Sequence, residues 1–177
     1  LMRQRRPDYL AMVMDVSDET VFRKEIDVNY KAHRDAPPEA LDVQMERIVS
    51  IVTALGVPIY RLPGFEADDL MATIAERLRN EDIDIYLVSK DKDLEQLITD
   101  RVRLFDPGKD EVLDAAALHA AKGYRPEQAV EVQTLAGDST DNIPGISGVG
   151  VKTAAKLIQD YGTAEAATTY GLIGVKV

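Results

Sequence analysis

The 177-residue chain is 45% hydrophobic and 29% charged, with a net charge of −10, a composition that excludes a disordered polymer and supplies apolar residues enough for a buried core. No apolar run approaches the roughly 18 residues needed to cross a bilayer, and Leu1-Met-Arg-Gln-Arg-Arg6 has no apolar signal-peptide core behind its charges, so the expectation is a cytoplasmic protein with no membrane partner. With no cysteine and only two histidines, His33 and His119, disulfides and a zinc centre built on thiolate or imidazole are excluded, and any metal would be held by oxygen.

In chain order, Tyr9-Leu-Ala-Met-Val-Met-Asp15 reads as a buried strand ending on an aspartate. Ser17 to Pro38 has no sustained period and reads as a mobile polar segment. Glu39 to Leu55 is predicted to be a helix with Leu41, Met45, Ile48, Val52 and Leu55 on its inward face, ended by Gly56 and Pro58. Val57 to Leu62 is a second strand. After the Pro63-Gly64 turn, Glu66 to Arg79 is a helix with Leu70, Ile74 and Leu78 inward, and Ile83 to Ser89 is a third strand. Asp93 to Ile98 is a short helix and Val102 to Phe105 a further strand, so this part of the chain is an α/β domain with a mainly parallel twisted sheet and flanking helices. From about Asp114 the strand signal stops. Ala115 to Lys122, Pro126 to Ala136 and Val151 to Tyr161 read as helices separated by glycine-rich turns. The expected division is therefore an α/β core over residues 1–124 and a helical region over 125–177. Within the latter, Leu172 to Val177 reads as a strand.

Averaged over the chain, the excess of acid argues against a nucleic-acid partner, because phosphate binding is driven by Lys and Arg. The distribution argues otherwise. Basic residues concentrate at Arg3 to Arg6, Arg23 to Arg34, Lys152 and Lys156, while aspartates gather at predicted element ends. In an open parallel sheet, ligands bind beyond the carboxyl ends of the strands. Asp15 and Asp91 follow strands, Glu66, Asp68 and Asp69 open a helix, Asp93 lies two residues beyond Asp91, and Asp138 and Asp141 come from a turn able to close over that edge. Two unit charges ~4 Å apart in a partly buried site repel by roughly 4 kcal/mol at an effective dielectric near 20, so such a set needs cations or protons. Hard oxygen ligands select magnesium or manganese, and a pair of such ions suits phosphodiester cleavage.

Each acid also has a plainer reading. Glu66, Asp68 and Asp69 complement a helix N-terminus, Asp91 caps a helix, and Asp138 after Gly137 serves a turn. Asp15 has no such propensity reason to close a buried strand, and the cost of burying it argues for function.

Three motifs, Gly64-Phe-Glu-Ala-Asp-Asp69, Ser89-Lys-Asp-Lys-Asp-Leu94 and Gly137-Asp-Ser-Thr-Asp-Asn-Ile-Pro-Gly145, in this order and spacing, resemble the 5′-nuclease domain of bacterial DNA polymerase I and its free-standing flap endonuclease relatives. The resemblance runs from about Tyr9 to Gly162. It implies a PIN-like nuclease fold followed by a small helix-hairpin-helix region, and a metal-dependent 5′-3′ exonuclease or flap endonuclease acting on DNA with a 5′ end or flap. It implies that Asp15, Glu66, Asp68 and Asp69 serve one divalent ion and Asp91, Asp93, Asp138 and Asp141 a second, with cleavage depending on Asp68 and Asp93. Phe22-Arg-Lys-Glu25 and Tyr30-Lys-Ala-His-Arg34 resemble the family's basic segment on the 5′ strand, where Arg23 and Lys24 meet DNA, Lys31 matches the catalytic lysine and Arg34 a phosphate contact. A cation beside an acidic site can stabilise charge developing on the scissile phosphate. Read without the family, the segment is a solvated charged loop.

Gly145-Ile-Ser-Gly-Val-Gly-Val-Lys-Thr-Ala-Ala-Lys156 resembles the family's helix-hairpin-helix, which grips duplex DNA and holds a potassium ion around Ser147 to Gly150. Gly148 and Gly150 let backbone approach a phosphate, amides at the next helix point at it, and Lys152 and Thr153 add charge and a donor. Ordinary helix-connecting turns are the plainer reading. The chain also departs from the family. The family opens with a further strand that carries another metal aspartate, and Leu1 falls just before what the resemblance makes the second metal strand. A DNA-binding module without catalysis is therefore the alternative expectation, and a nuclease acting on RNA a third. A polymerase domain in the same protein is a partner the resemblance allows.

Overall fold

The computed structural model describes residues 2–16, 21–35 and 38–162, and in it the chain divides between Leu70 and Met71 into two units. The first contains α1 (Met2–Arg5), β1 (Met12–Val13), α2 (Arg23–Ile26), α3 (Glu39–Ala54) and β2 (Ile59–Tyr60). β1 and β2 pair in parallel, Met12 opposite Ile59 and Val13 opposite Tyr60. The pairing is extended by the amides of Met12 and Met14, which donate to the carbonyls of Pro58 and Tyr60 at 2.9 and 3.0 Å.

Two expectations are corrected here. The run from Tyr9 to Asp15 is not a buried strand: only Met12–Val13 pairs, Tyr9 is 86% exposed, and Asp15 lies exposed two residues past the strand. An exposed Asp15 bears no burial cost. The helix predicted from Glu39 forms with nearly the expected ends, closing where Gly56 takes a left-handed φ of 73°. Its apolar face, however, is largely open, with Leu41, Ile48 and Leu55 all exposed. Two strands of two residues offer too little surface to cover a four-turn helix.

α4 (Ala67–Arg77) begins in the first unit and ends in the second, which continues with β3 (Ile85–Val88), a 3-10 helix (Lys92–Leu97), β4 (Val102–Asp106), β5 (Glu111–Leu113), α5 (Ala115–Lys122), a 3-10 turn (Pro126–Gln128), α6 (Ala129–Ala136) and α7 (Val151–Tyr161). β3 and β4 are parallel, and β5 returns antiparallel to β4 with Leu104 opposite Leu113. β5 escapes sequence reading because three residues with two exposed side chains carry no period. The segment after Asp91 winds as a 3-10 helix rather than an α-helix, and the helix expected from Pro126 splits into a 3-10 turn and α6. α5 and α7 have the ends read from sequence. Asp114 caps α5 by accepting the Ala117 amide at 2.8 Å, and Gly123 stops it at φ 81°. The strand expected over Leu172 to Val177 lies outside the described residues. Among the described residues no helix is long and apolar enough to cross a membrane.

The core of the second unit joins Leu87 and Leu104 from the sheet to Leu94, Leu118, Val132 and Ile158 from the helices. One charge sits inside it. Glu95 is 4% exposed, and its carboxylate accepts from the Tyr124 hydroxyl at 2.6 Å and from the Lys122 ammonium. Burial and the Glu95 contact together push the Tyr124 hydroxyl pKa far up. This trio ties the 3-10 helix to the segment after α5.

Between α6 and α7 the chain makes a narrow loop. Asp138 and Ile143 bridge each other through backbone bonds of 2.8 and 2.7 Å, and the Ile146 amide reaches the Leu135 carbonyl at 2.8 Å. Gly137 (φ 73°) and Gly145 face each other so closely that a Cβ on Gly137 would lie 2.3 Å from the Gly145 nitrogen.

Gly137→Ala adds a backbone clash to the ~1 kcal/mol that positive φ costs a non-glycine residue, so urea unfolding should show a loss well above that figure. Tyr124→Phe removes one partner of a buried carboxylate and should lower stability by about 1–3 kcal/mol. An unchanged unfolding midpoint in either would contradict the packing described.

Candidate metal centre and nucleic-acid interface

In the first unit the acids gather at the start of α4. Asp15 Oδ1 accepts the Ala67 amide at 2.6 Å, and Asp69 Oδ2 accepts the Glu66 amide at 2.9 Å. Asp69 thus serves an orphan amide of the helix start, the plainer role the sequence allowed it, and Asp15 does the same from a distant segment, a role its own surroundings in sequence did not suggest. They do more than that. Arg23 from α2 forks onto Asp69 with bonds of 2.8 and 2.6 Å and lies 3.0 Å from Glu66 Oε2. The Tyr30 hydroxyl donates to Glu66 Oε2 at 2.8 Å, and the Lys31 ammonium reaches Glu66 Oε1. Glu66 is 8% exposed.

The basic segment is held there by its backbone as well. The Phe22 amide donates to the Gly64 carbonyl at 3.0 Å, the Phe22 and Phe65 rings pack in a tilted pair with centroids 5.6 Å apart, and Lys31 sits at a left-handed φ of 55°. Burial alone would raise the Asp69 pKa, but the Arg23 bond, the Glu66 amide and the charges of Arg23 and Lys31 outweigh it and hold the carboxyl below its usual range. Burial opposes the Arg23 charge in the same way, yet its contacts with Asp69 and Glu66 raise its pKa. Asp68 is half-buried in the first turn of α4, Lys24 adjoins Arg23 on α2, and Arg34 is exposed beyond the turn that holds Lys31.

In the second unit, carboxylate oxygens of Asp93, Asp138 and Asp141 lie within 4.8 Å of one another. Asp138 and Asp141 are buried, 8% and 7% exposed. Asp93 comes from the 3-10 helix after β3, the other two from the glycine-bounded loop after α6. Asp91 stands apart from this trio as the exposed cap of the 3-10 helix, accepting the Asp93 amide at 3.0 Å. Lys92 lies 3.0 Å from Asp138 Oδ1, the Thr140 amide donates to the same oxygen at 2.8 Å, and Gln133 Nε2 donates to Asp93 Oδ1 at 2.6 Å.

Burial, and then the charges of Asp91, Asp138 and Asp141, push the Asp93 pKa up despite the Gln133 bond. Asp138 moves the other way, because Lys92 and the Thr140 amide outweigh its burial. Three carboxylates drawn this close repel one another, and their ligand atoms are all hard oxygens. A hard divalent cation fits that chemistry.

The hairpin before α7 is exposed at Ser147, Gly148 and Gly150. Gly148 has φ 79°, the Val149 amide closes the turn on the Ile146 carbonyl at 3.0 Å, and Gly150 precedes the first turn of α7. Lys152, Thr153 and Lys156 are exposed on that helix, whose buried face is Ala154, Ala155 and Ile158. Sequence reading assigned no role to the Tyr30 hydroxyl, Lys92 or Gln133. The basic run around Tyr30 hinted at the first, and Lys92 was hidden within an acidic motif. A glutamine inside a helix carries no signal.

The description "5'-3' exonuclease, N-terminal resolvase-like domain" matches residues 1–123, and "5'-3' exonuclease, C-terminal SAM fold" matches residues 124–170. DNA polymerase I of Rhizobium leguminosarum is 42% identical over 156 residues, which are 88% of this chain and 15% of that protein. The 5'-3' exonuclease of Aquifex aeolicus is 38% identical over 165 residues, 93% of this chain and 57% of that one. The chain therefore spans between about a seventh and somewhat over half of these relatives. The bacteriophage T5 flap endonuclease, solved as a pseudo-enzyme-product complex with DNA and metal ions, shares the fold with a TM-score of 0.76 at 23% identity, covering 96% of this chain and 69% of that one. Sequence match over both halves and a common fold lead to one conclusion: the chain belongs to the 5'-3' exonuclease family.

Proposed function

We propose that the chain is a metal-dependent nuclease that hydrolyses DNA phosphodiester bonds near a 5′ end or flap. The observation that carries this reading is the meeting of carboxylate oxygens of Asp93, Asp138 and Asp141 within 4.8 Å, with Asp138 and Asp141 buried. The relatives' names and the T5 complex with DNA and metal ions support it. In this reading Asp15, Glu66, Asp68 and Asp69 hold one magnesium or manganese ion, and Asp91, Asp93, Asp138 and Asp141 hold another, directly or through water. Bound ions would supply the positive charge that activates water and stabilises the leaving oxygen in phosphodiester hydrolysis.

The protein's own groups have separate work. Lys31, held on Glu66 by its ammonium, is the cation for charge developing on the scissile phosphate. Arg23, Lys24 and Arg34 line the same segment and contact the 5′ strand. Gly148, Gly150, Lys152 and Thr153 present backbone amides, an ammonium and a hydroxyl to duplex phosphates without reading bases, with a potassium ion at Ser147 to Gly150. The change of family description at residues 123/124 supports assigning the nuclease core to residues 1–124 and the DNA-gripping region to 125–177. The similarity to DNA polymerase I supports a polymerase as a further domain of the same protein. A cytoplasmic location agrees with a sequence free of cysteine.

The chain should cut a 5′-flap DNA in magnesium, with chelation abolishing the reaction and Asp68→Ala or Asp93→Ala lowering the rate at least about 100-fold, the order lost when a transition-state stabiliser is removed. A folded chain that leaves DNA flaps intact in both magnesium and manganese, or that prefers the RNA version of the substrate, overturns the proposal. Lys152→Glu should weaken flap binding at every sequence tested and flatten the dependence of log affinity on log salt by about one unit or more. Fluorescence anisotropy across a salt series measures both.

A further inference from the structure

Asp93 and its two partner aspartates arrive on different pieces of backbone, so something must hold Asp93 in register with the loop that carries the others. We propose that Gln133 is the residue that positions Asp93 for metal binding, a role that rests on reading Asp93, Asp138 and Asp141 as a divalent-metal group. The side-chain amide of Gln133 donates to Asp93 Oδ1 at 2.6 Å. The backbone of the same residue accepts the Gly137 amide at 2.7 Å, in the last turn of α6 and immediately before Asp138. One residue therefore touches both the carboxylate and the start of the loop that brings its partners.

The chemistry of an amide suits the task. A lysine at this place would cancel the charge that attracts the ion, as Lys92 partly does for Asp138. A neutral N–H donor occupies one oxygen of Asp93, fixes the plane of the carboxylate, and leaves the other oxygen and the full negative charge for a cation. Gln96 adds a second restraint, its Nε2 donating to the Asp93 backbone carbonyl at 2.7 Å. Main chain and side chain of the ligand are thus each held by a glutamine.

The test is manganese binding to the metal-free chain, followed by electron paramagnetic resonance of the free ion, with Asp141→Asn used to identify which binding step belongs to this group. Gln133→Leu should weaken that step by about 10- to 100-fold, the usual cost of removing a partner of a metal ligand. Gln133→Glu, of the same length but presenting a carboxylate to Asp93, should weaken it further. In chelator the unfolding midpoint of Gln133→Leu should equal or exceed that of the parent, whereas the rise in midpoint on adding manganese should shrink. A merely structural role predicts the reverse, a lower midpoint without metal and unchanged affinity. If Gln133→Leu does not fold, Gln133→Glu carries the measurement. Parent-like affinity in either folded variant overturns the role of Gln133 while leaving the metal group standing, and a parent that binds no manganese overturns the metal group and this role with it.

Discussion

Carboxylates brought close together in a partly buried place repel one another, and the rest of this structure is arranged around how that repulsion is met. The two units meet it in different ways. At the start of α4, Glu66 and Asp69 are matched by full cations from the chain itself, Arg23 on both and Lys31 on Glu66. Around Asp93, Asp138 and Asp141 the contacts include the Lys92 ammonium and the Thr140 amide on Asp138 and the Gln133 amide on Asp93. Arg23 and Lys31 hold Asp69 in its charged form, whereas Asp93 is crowded by the charges of Asp91, Asp138 and Asp141, so a diffusible cation relieves repulsion at the second group. The opposite directions in which Asp69 and Asp93 are shifted from ordinary aspartates express the same contrast.

Holding such a group requires backbone that does not yield. The loop from Gly137 to Gly145 obtains this from close approach: two facing glycines and a pair of short bonds between Asp138 and Ile143 leave no room for a side chain at either glycine. The 3-10 helix beneath Asp93 obtains it from a buried charge. Glu95, two residues on, is anchored by Tyr124 and Lys122 in the core. A buried carboxylate is an expensive anchor, and it stabilises only while both partners remain. Its use here is to specify where the helix lies.

Much of this was legible in the sequence, and the parts that were not share a cause. α5 and α7 could be bounded to the residue because Asp114, Gly123 and Gly162 act locally on helix ends. Asp93, Asp138 and Asp141 could be picked out because acids in glycine-rich or helix-opening motifs stand out from their surroundings. Asp15 could not be judged, because its argument rested on burial, and burial is settled by what packs on a strand rather than by the strand's own apolar run. The open face of α3 has the same origin: period shows which side is apolar and not whether anything covers it. β5 exists only through its pairing with β4. Gln133 acquires meaning from a partner forty positions earlier.

The hydrogen bond from the Ala67 amide to Asp15 spans 52 positions. A helix usually takes its first acceptors from the residue beside it, so its opening turn can flicker into place before the rest of the chain is ordered. α4 instead draws an acceptor from the far side of a long chain closure, whose entropy must be met before the bond exists. The opening turn of α4, with Asp68 and Asp69 upon it, is therefore completed by long-range assembly and not ahead of it. The acids at that end reach their full set of hydrogen bonds only once the chain from Asp15 to Ala67 has closed on itself.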